Sequence, residues 1–145
     1  MTKPSLTLIR RFKAPPAKVW AAWTKPELMS AWFGPHNTRC QSAEADPRVG
    51  GRFRVVMIED NGERHEVSGT YSAVEPERKL AFSWAWVTMP ERESRVTVTF
   101  RPVEEGTEMV LLHEQFADEA ARAGHEGGWT EAFERLERVF AEAAA

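Results

Sequence analysis

The residues best suited to chemistry stand near the end of the chain, in LLHEQFADEAARAGHEGGWTEAFERLERVF from Leu111 to Phe140. His113, His125 and Trp129 surround a glycine-rich break there, and two imidazoles beside an indole offer acid–base groups and a hydrogen-bond donor. Two readings are open: these residues form a site, or they fasten a last strand to a last helix. Other chemistry is sparse. The four histidines, His36, His65, His113 and His125, are dispersed, with no HxH, HxxxH or CxxC spacing that would converge on a metal. No GxSxG occurs, and Cys40, the single cysteine, reads as a small buried hydrophobe rather than a reactive thiol. RVGGRF opens a strand instead of a helix, the wrong context for cradling phosphate. No metal and no cofactor is expected.

The elements that must position these residues follow from periodicity. SLTLIRRF alternates Leu6, Leu8 and Phe12 with polar residues, as a half-buried strand does, with Arg10 the exception in that parity. APPAKVWAAW reads as a short helix carrying Val19, Trp20 and Trp23 on one side. TKPE predicts a capping box, Thr24 as cap and Glu27 three residues on, opening a second short helix through Leu28 and Trp32 that FGP ends. Strands then succeed one another from Thr38 to Phe116, separated by turn signals such as DNG at Asp60 to Gly62. Beyond GHEGG, Trp129, Phe133, Leu136 and Phe140 recur at i, i+4, i+7 and i+11, which predicts a long amphipathic helix. Strand, two short helices, about six strands and a long helix make an α+β layout, a curved antiparallel sheet gripping a C-terminal helix. Residues 1–145 are expected to form one domain.

Composition excludes several function classes. The net charge is −3, from 22 acidic and 19 basic residues, and the basic ones are scattered, so nucleic acid is not an expected partner. No apolar run approaches the ~20 residues of a membrane helix, so membrane insertion is not expected. MTKPSLTLIRRF has no basic segment followed by a long apolar core, and a single cysteine suits a reducing compartment. A cytoplasmic protein is the expectation.

A curved sheet and a straight helix part somewhere, and the gap is filled by side chains or by a ligand. The inward faces predicted by parity are Phe53, Val55 and Met57; then His65 and Tyr71 in parity with Val67; then Phe82, Trp84 and Trp86. Val98 and Phe100 follow, then Met109, Leu111 and His113, and the helix contributes Trp129 and Phe133. Ligand pockets are lined in this way, mostly apolar with few polar groups. An aromatic stripe is more often a plain core than a binding site, and Trp20, Trp23 and Trp32 read as core.

The ordered series RRFKAPPAKVWAAWTKPELMSAWFGP, DPRVGGRFRVVM, GTYSAVEPERKLAFSW, VTVTFRPVEEGTEMVLLHEQF and GHEGGW resembles the SRPBCC, or START-like, superfamily over Leu6 to about Phe140. Within it the chain is similar to proteins related to the C-terminal domain of the activator of the heat-shock-protein-90 ATPase. The resemblance implies a helix-grip fold of about six to seven strands with a cavity between sheet and helix. It also implies that Gly124, Gly127 and Gly128 bend the chain, that Trp129 anchors the packing face, and that His125 sits at the surface. His113 points inward as a ligand contact or a hydrogen-bonded structural histidine.

Three functions compete. A binding module would hold a small hydrophobic or aromatic molecule. A co-chaperone-like protein would act on a heat-shock-protein-90 ATPase. A small cavity enzyme, cyclase-like or hydrolytic, would use His113, His65, Tyr71 or Arg10 as acid, base or dipole.

Overall fold

The period-two alternation becomes seven antiparallel strands. In the computed structural model, which describes residues 3–144, these are β1 (Leu6–Phe12), β2 (Thr38–Ala45), β3 (Arg52–Glu59), β4 (Arg64–Glu75), β5 (Lys79–Trp86), β6 (Ser94–Val103) and β7 (Gly106–Glu114). Two short helices, α1 (Pro16–Thr24) and α2 (Pro26–Met29), follow β1, and α3 (Glu119–Ala144) ends the chain. The sheet order is β1-β7-β6-β5-β4-β3-β2. Strands β2 to β7 therefore form a meander, and β1 returns to pair with β7, Leu6 opposite His113 and Leu8 opposite Leu111. This is the expected α+β architecture, a sheet of seven strands with a long C-terminal helix and two short helices after the first strand. No helix among the described residues is long and apolar enough to cross a membrane.

Parity places the core. Phe53, Val55 and Met57 of β3, Val67 and Tyr71 of β4, and Phe82 and Trp84 of β5 are buried. So are Val98 and Phe100 of β6 and Met109, Leu111 and His113 of β7. The helix meets them with Trp129, Ala132, Phe133, Leu136 and Phe140, the predicted stripe with one small residue added. Helix α1 adds Trp23 and the turn after α2 adds Trp32; their rings lie 4.9 Å apart, and Trp23 reaches Trp129 at 5.8 Å. Each buried aromatic removes ~150–250 Å² from water, so this cluster is the main apolar contribution to stability.

Three local expectations are corrected. Thr24 does not cap α2; it is the last residue of α1, and its hydroxyl donates back to the Trp20 carbonyl at 2.9 Å. Lys25 takes the cap position, with Pro26 as the first helical residue, whose missing N–H needs no partner there. The second helix also stops at Met29, short of Trp32, which lies in the turns that follow and anchors to α1 through Trp32 Nε1–H and the Ala22 carbonyl at 3.0 Å.

The third correction concerns the glycines. The chain does not bend at Gly124, Gly127 and Gly128: all three lie inside α3, which begins at Glu119. Asp118 starts the helix by accepting the Ala121 N–H on its carboxylate at 2.8 Å, and Arg122 pairs with Glu119 and Glu126 along the first turns. These contacts, with the burial of the Trp129 face, outweigh the ~1 kcal/mol that each interior glycine costs a helix. A Cβ at Gly127 meets nothing within 4 Å. Gly127→Ala is therefore expected to raise stability by about 1 kcal/mol in urea denaturation, whereas a bend at this point would make it neutral or destabilising.

Candidate functional site

The two histidines at the C-terminal end are both committed to tryptophans. Trp129 Nε1–H of α3 donates to His113 Nδ1 of β7 at 3.0 Å. With Nδ1 accepting, a neutral His113 carries its proton on Nε2, which lies 2.7 Å from Ser94 Oγ and donates to it. The Ser94 hydroxyl in turn reaches the Trp84 carbonyl at 3.4 Å. This tautomer rules His113 out as the base for Ser94, because the lone pair a base would use is taken by the indole. Burial, with His125 nearby as the lesser cause, pushes the His113 pKa down to about 2, so the ring stays neutral at physiological pH. His113 is thus a hydrogen-bonded fastener between the last strand and the last helix.

His125 departs from expectation. It is not at the surface but half-buried on α3, where Nδ1–H donates to the Ala121 carbonyl at 2.7 Å and Nε2 accepts Trp86 Nε1–H at 3.0 Å. Burial lowers its pKa, partly offset by the bond to Ala121. Trp86 is half-buried, and its ring stands edge-on to Trp84 with centroids 5.6 Å apart.

Around these residues the helix and sheet part. The recess has a volume of about 210 Å³. Its deep side is formed by the buried residues Phe33, Met57, Trp84, Trp129 and Ala132; its rim is formed by Pro35, Trp86, Gly124, His125 and Gly128. Gly34 completes the lining with φ +110°, a backbone conformation that suits glycine, and a Cβ there would lie 2.6 Å from Thr38 Oγ1 and 2.9 Å from Met57 Sδ. The α2–β2 connection that carries Phe33 to Pro35 is held by α3. Arg135 donates to the carbonyls of Gly34, His36 and Thr38, and Glu131 accepts the His36 N–H at 3.0 Å.

Of the residues predicted to face inward, Met57, Trp84, Trp86 and Trp129 line this recess. Phe53, Tyr71 and Phe82 pack ring on ring, with centroids 4.9–6.0 Å apart. Val55, Val98, Phe100, Met109, Leu111 and Phe133 are buried in the same cluster. Burial raises the Tyr71 pKa, so its hydroxyl stays protonated. His65 lies at the β3–β4 hairpin, partly exposed, with Nε2 3.5 Å from Glu59 and 3.8 Å from Glu63. These three side chains could offer ligand atoms to a cation, but they are partly or fully exposed and form an ordinary polar cluster at a hairpin. Arg10 is half-buried on β1 and donates to the Ile9 carbonyl, away from the recess. Sequence reasoning missed Phe33, Gly34, Pro35, Gly124, Gly128 and Ala132. The available signal was Gly124, Gly128 and Ala132 at four-residue spacing, which puts small residues on one helix face.

A second depression, of about 790 Å³, lies where the β4–β5 turn meets β6, lined by exposed Glu75, Glu77, Arg78 and Arg101. Its charged, solvated walls hold no buried polar group among the residues that line it.

A curved sheet clasping one long helix defines this protein as a helix-grip, START-like domain. The chain belongs to the family described as activator of Hsp90 ATPase homolog 1-like protein, whose profile matches residues 13–141. It is similar to the solved AHSA1 protein of Silicibacter pomeroyi, at 27% identity and a TM-score of 0.86 over 97% of this chain and 99% of that one. A protein of Rhodobacter sphaeroides is 27% identical, with a TM-score of 0.83 over 98% of both chains. A protein of Chromobacterium violaceum, at 22% identity and a TM-score of 0.85 over 94% of this chain and 97% of that one, shares the fold. No curated protein matches the chain.

The neutral histidines make stability depend on pH. Both bind protons more readily in the unfolded chain, near pKa ~6.5, than in the fold. Their contribution is therefore present above pH ~6.5 and is lost as pH falls below it, at about 1.4 kcal/mol per pH unit for His113. His113→Phe is expected to cost about 2 kcal/mol at pH 7.5 and to flatten the pH 6.5–4.5 slope by one proton. Thermal melts across that range test this, and an unchanged slope would contradict it.

Proposed function

We propose that the protein is a small-molecule-binding domain, holding an uncharged hydrophobic or aromatic ligand in the recess between the sheet and α3. The observation that carries this reading is the pairing of an aromatic-lined recess with glycines at Gly124 and Gly128 of an α-helix. Alanine would be the better helix former at both positions. A Cβ at Gly124 would meet nothing within 4 Å, and one at Gly128 would meet only Pro35 Cγ, at 3.7 Å. Packing does not require glycine at either position, and the room they leave beside the aromatic lining supports the reading.

The volume sets the ligand's scale. It lies between the ~150 Å³ that admits benzene and the ~300–1,000 Å³ of drug-sized sites, which favours molecules of one or two rings. The enzyme reading is weakened by His113, whose Nδ1 is occupied and whose ring does not reach the recess lining. The family's name also points to a heat-shock-protein-90 partner, a reading that rests on the name alone.

Gly128→Leu places a branched side chain beside Pro35 at the rim. It is expected to keep or raise thermal stability while weakening binding of uncharged one- and two-ring compounds at least ~10-fold, a loss of ~1.4 kcal/mol. Ligand-observed NMR on both proteins checks this. Hits that bind the variant as well as the wild type would place their site elsewhere and count against the proposal.

A further inference from the structure

Three indoles line the recess, and they are not equivalent. Trp129 Nε1–H is bonded to His113, and Trp86 Nε1–H is bonded to His125. Trp84 Nε1 has no hydrogen-bond partner and no contact with water, and it is the only such buried side-chain nitrogen or oxygen among the described residues. The residue as a whole is 4% exposed. A buried donor left unpaired is costly, and native structures keep few of them.

The rest of the lining narrows what would satisfy it. No formally charged side chain lines the recess, and both nitrogens of His125 are already used. Trp84 Nε1–H is therefore the one uncommitted side-chain nitrogen or oxygen donor among the lining residues. For a ligand to reach it the lining must shift, and two lining residues have that freedom: Met57 has a flexible thioether chain, and the Trp86 ring is half-buried and held by one hydrogen bond.

We infer that the recess takes an uncharged ring compound bearing one hydrogen-bond acceptor, a carbonyl or ether oxygen or a ring nitrogen, and that Trp84 Nε1–H is the donor that reads it. This rests on the ligand-binding reading above and adds the chemical class of the ligand. A donor group or a formal charge on the ligand would find no uncommitted side-chain counterpart in the lining and would lose its hydration on entry.

Indane and 1-indanone share a ring skeleton and differ by one carbonyl, which makes them a direct probe. Their dissociation constants are measured by NMR titration for the wild type and for Trp84→Phe, which removes the N–H while keeping an aromatic ring. The preference for 1-indanone over indane is expected to fall about tenfold in Trp84→Phe. In the wild type the Trp84 indole N–H resonance is expected to move downfield with 1-indanone and not with indane. If Trp84→Phe does not fold, that resonance decides alone. An unchanged preference, or an indole resonance indifferent to the carbonyl, overturns the donor assignment and leaves the apolar recess standing. Binding of neither compound up to its solubility limit overturns both.

Discussion

The contact between Trp129 and His113 sets the spacing on which the site depends. It joins α3 to β7 inside an aromatic cluster where an unpaired N–H would be expensive, so it holds the last strand and the last helix at one fixed distance. Its direction matters as much as its length. Because the indole donates, the imidazole must accept at Nδ1 and donate at Nε2, and Ser94 and the Trp84 carbonyl continue the chain on the sheet side. A histidine and a serine 2.7 Å apart would otherwise invite a catalytic reading. Hydrogen-bond direction makes them structural instead.

Toward the N-terminal end of α3 the same helix meets the sheet through softer contacts. Trp86 and His125 touch across the gap by one hydrogen bond, and Gly124 and Gly128 contribute no side chain. The helix is tightly packed at Phe133, Leu136 and Phe140 and leaves space near Gly124 and Gly128. Arg135 and Glu131 then hold the Gly34–Thr38 connection against the helix, so the opposite rim is fixed by hydrogen bonds rather than by apolar packing. Gly124 and Gly128, two weak helix formers, sit where the space is.

The fold was largely legible in the sequence, because a period of two is hard to mistake over strands such as Leu80 to Trp86 and because Trp129 to Phe140 keeps one helical stripe. Failures came where local propensity and tertiary context disagree. Glycines at 124, 127 and 128 are poor helix formers, and the Asp118 cap, the Arg122 ion pairs and the buried face draw them into α3. Thr24 followed by a proline and a glutamate mimics a cap, yet its hydroxyl satisfies the preceding turn. The site was less legible. Parity says which side chains face the helix but not how far away the helix is, so Phe53 and Phe82, packed ring on ring, could not be separated from Trp84, which lines a void. His125 was placed at the surface for the same reason as the glycines were read as a bend: its position depends on a helix that begins earlier than its propensities indicate.

The central claim is that the space between α3 and the sheet is a binding site rather than a packing defect. It is tested most directly by mapping backbone amide and indole N–H shifts while titrating a small uncharged aromatic compound. The account predicts saturable shifts concentrated at Gly124, His125, Gly128 and the indoles of Trp84, Trp86 and Trp129, with Phe100 and Leu111 unmoved. Shifts absent from the recess, or centred on the exposed Val87 and Met89 instead, would contradict it.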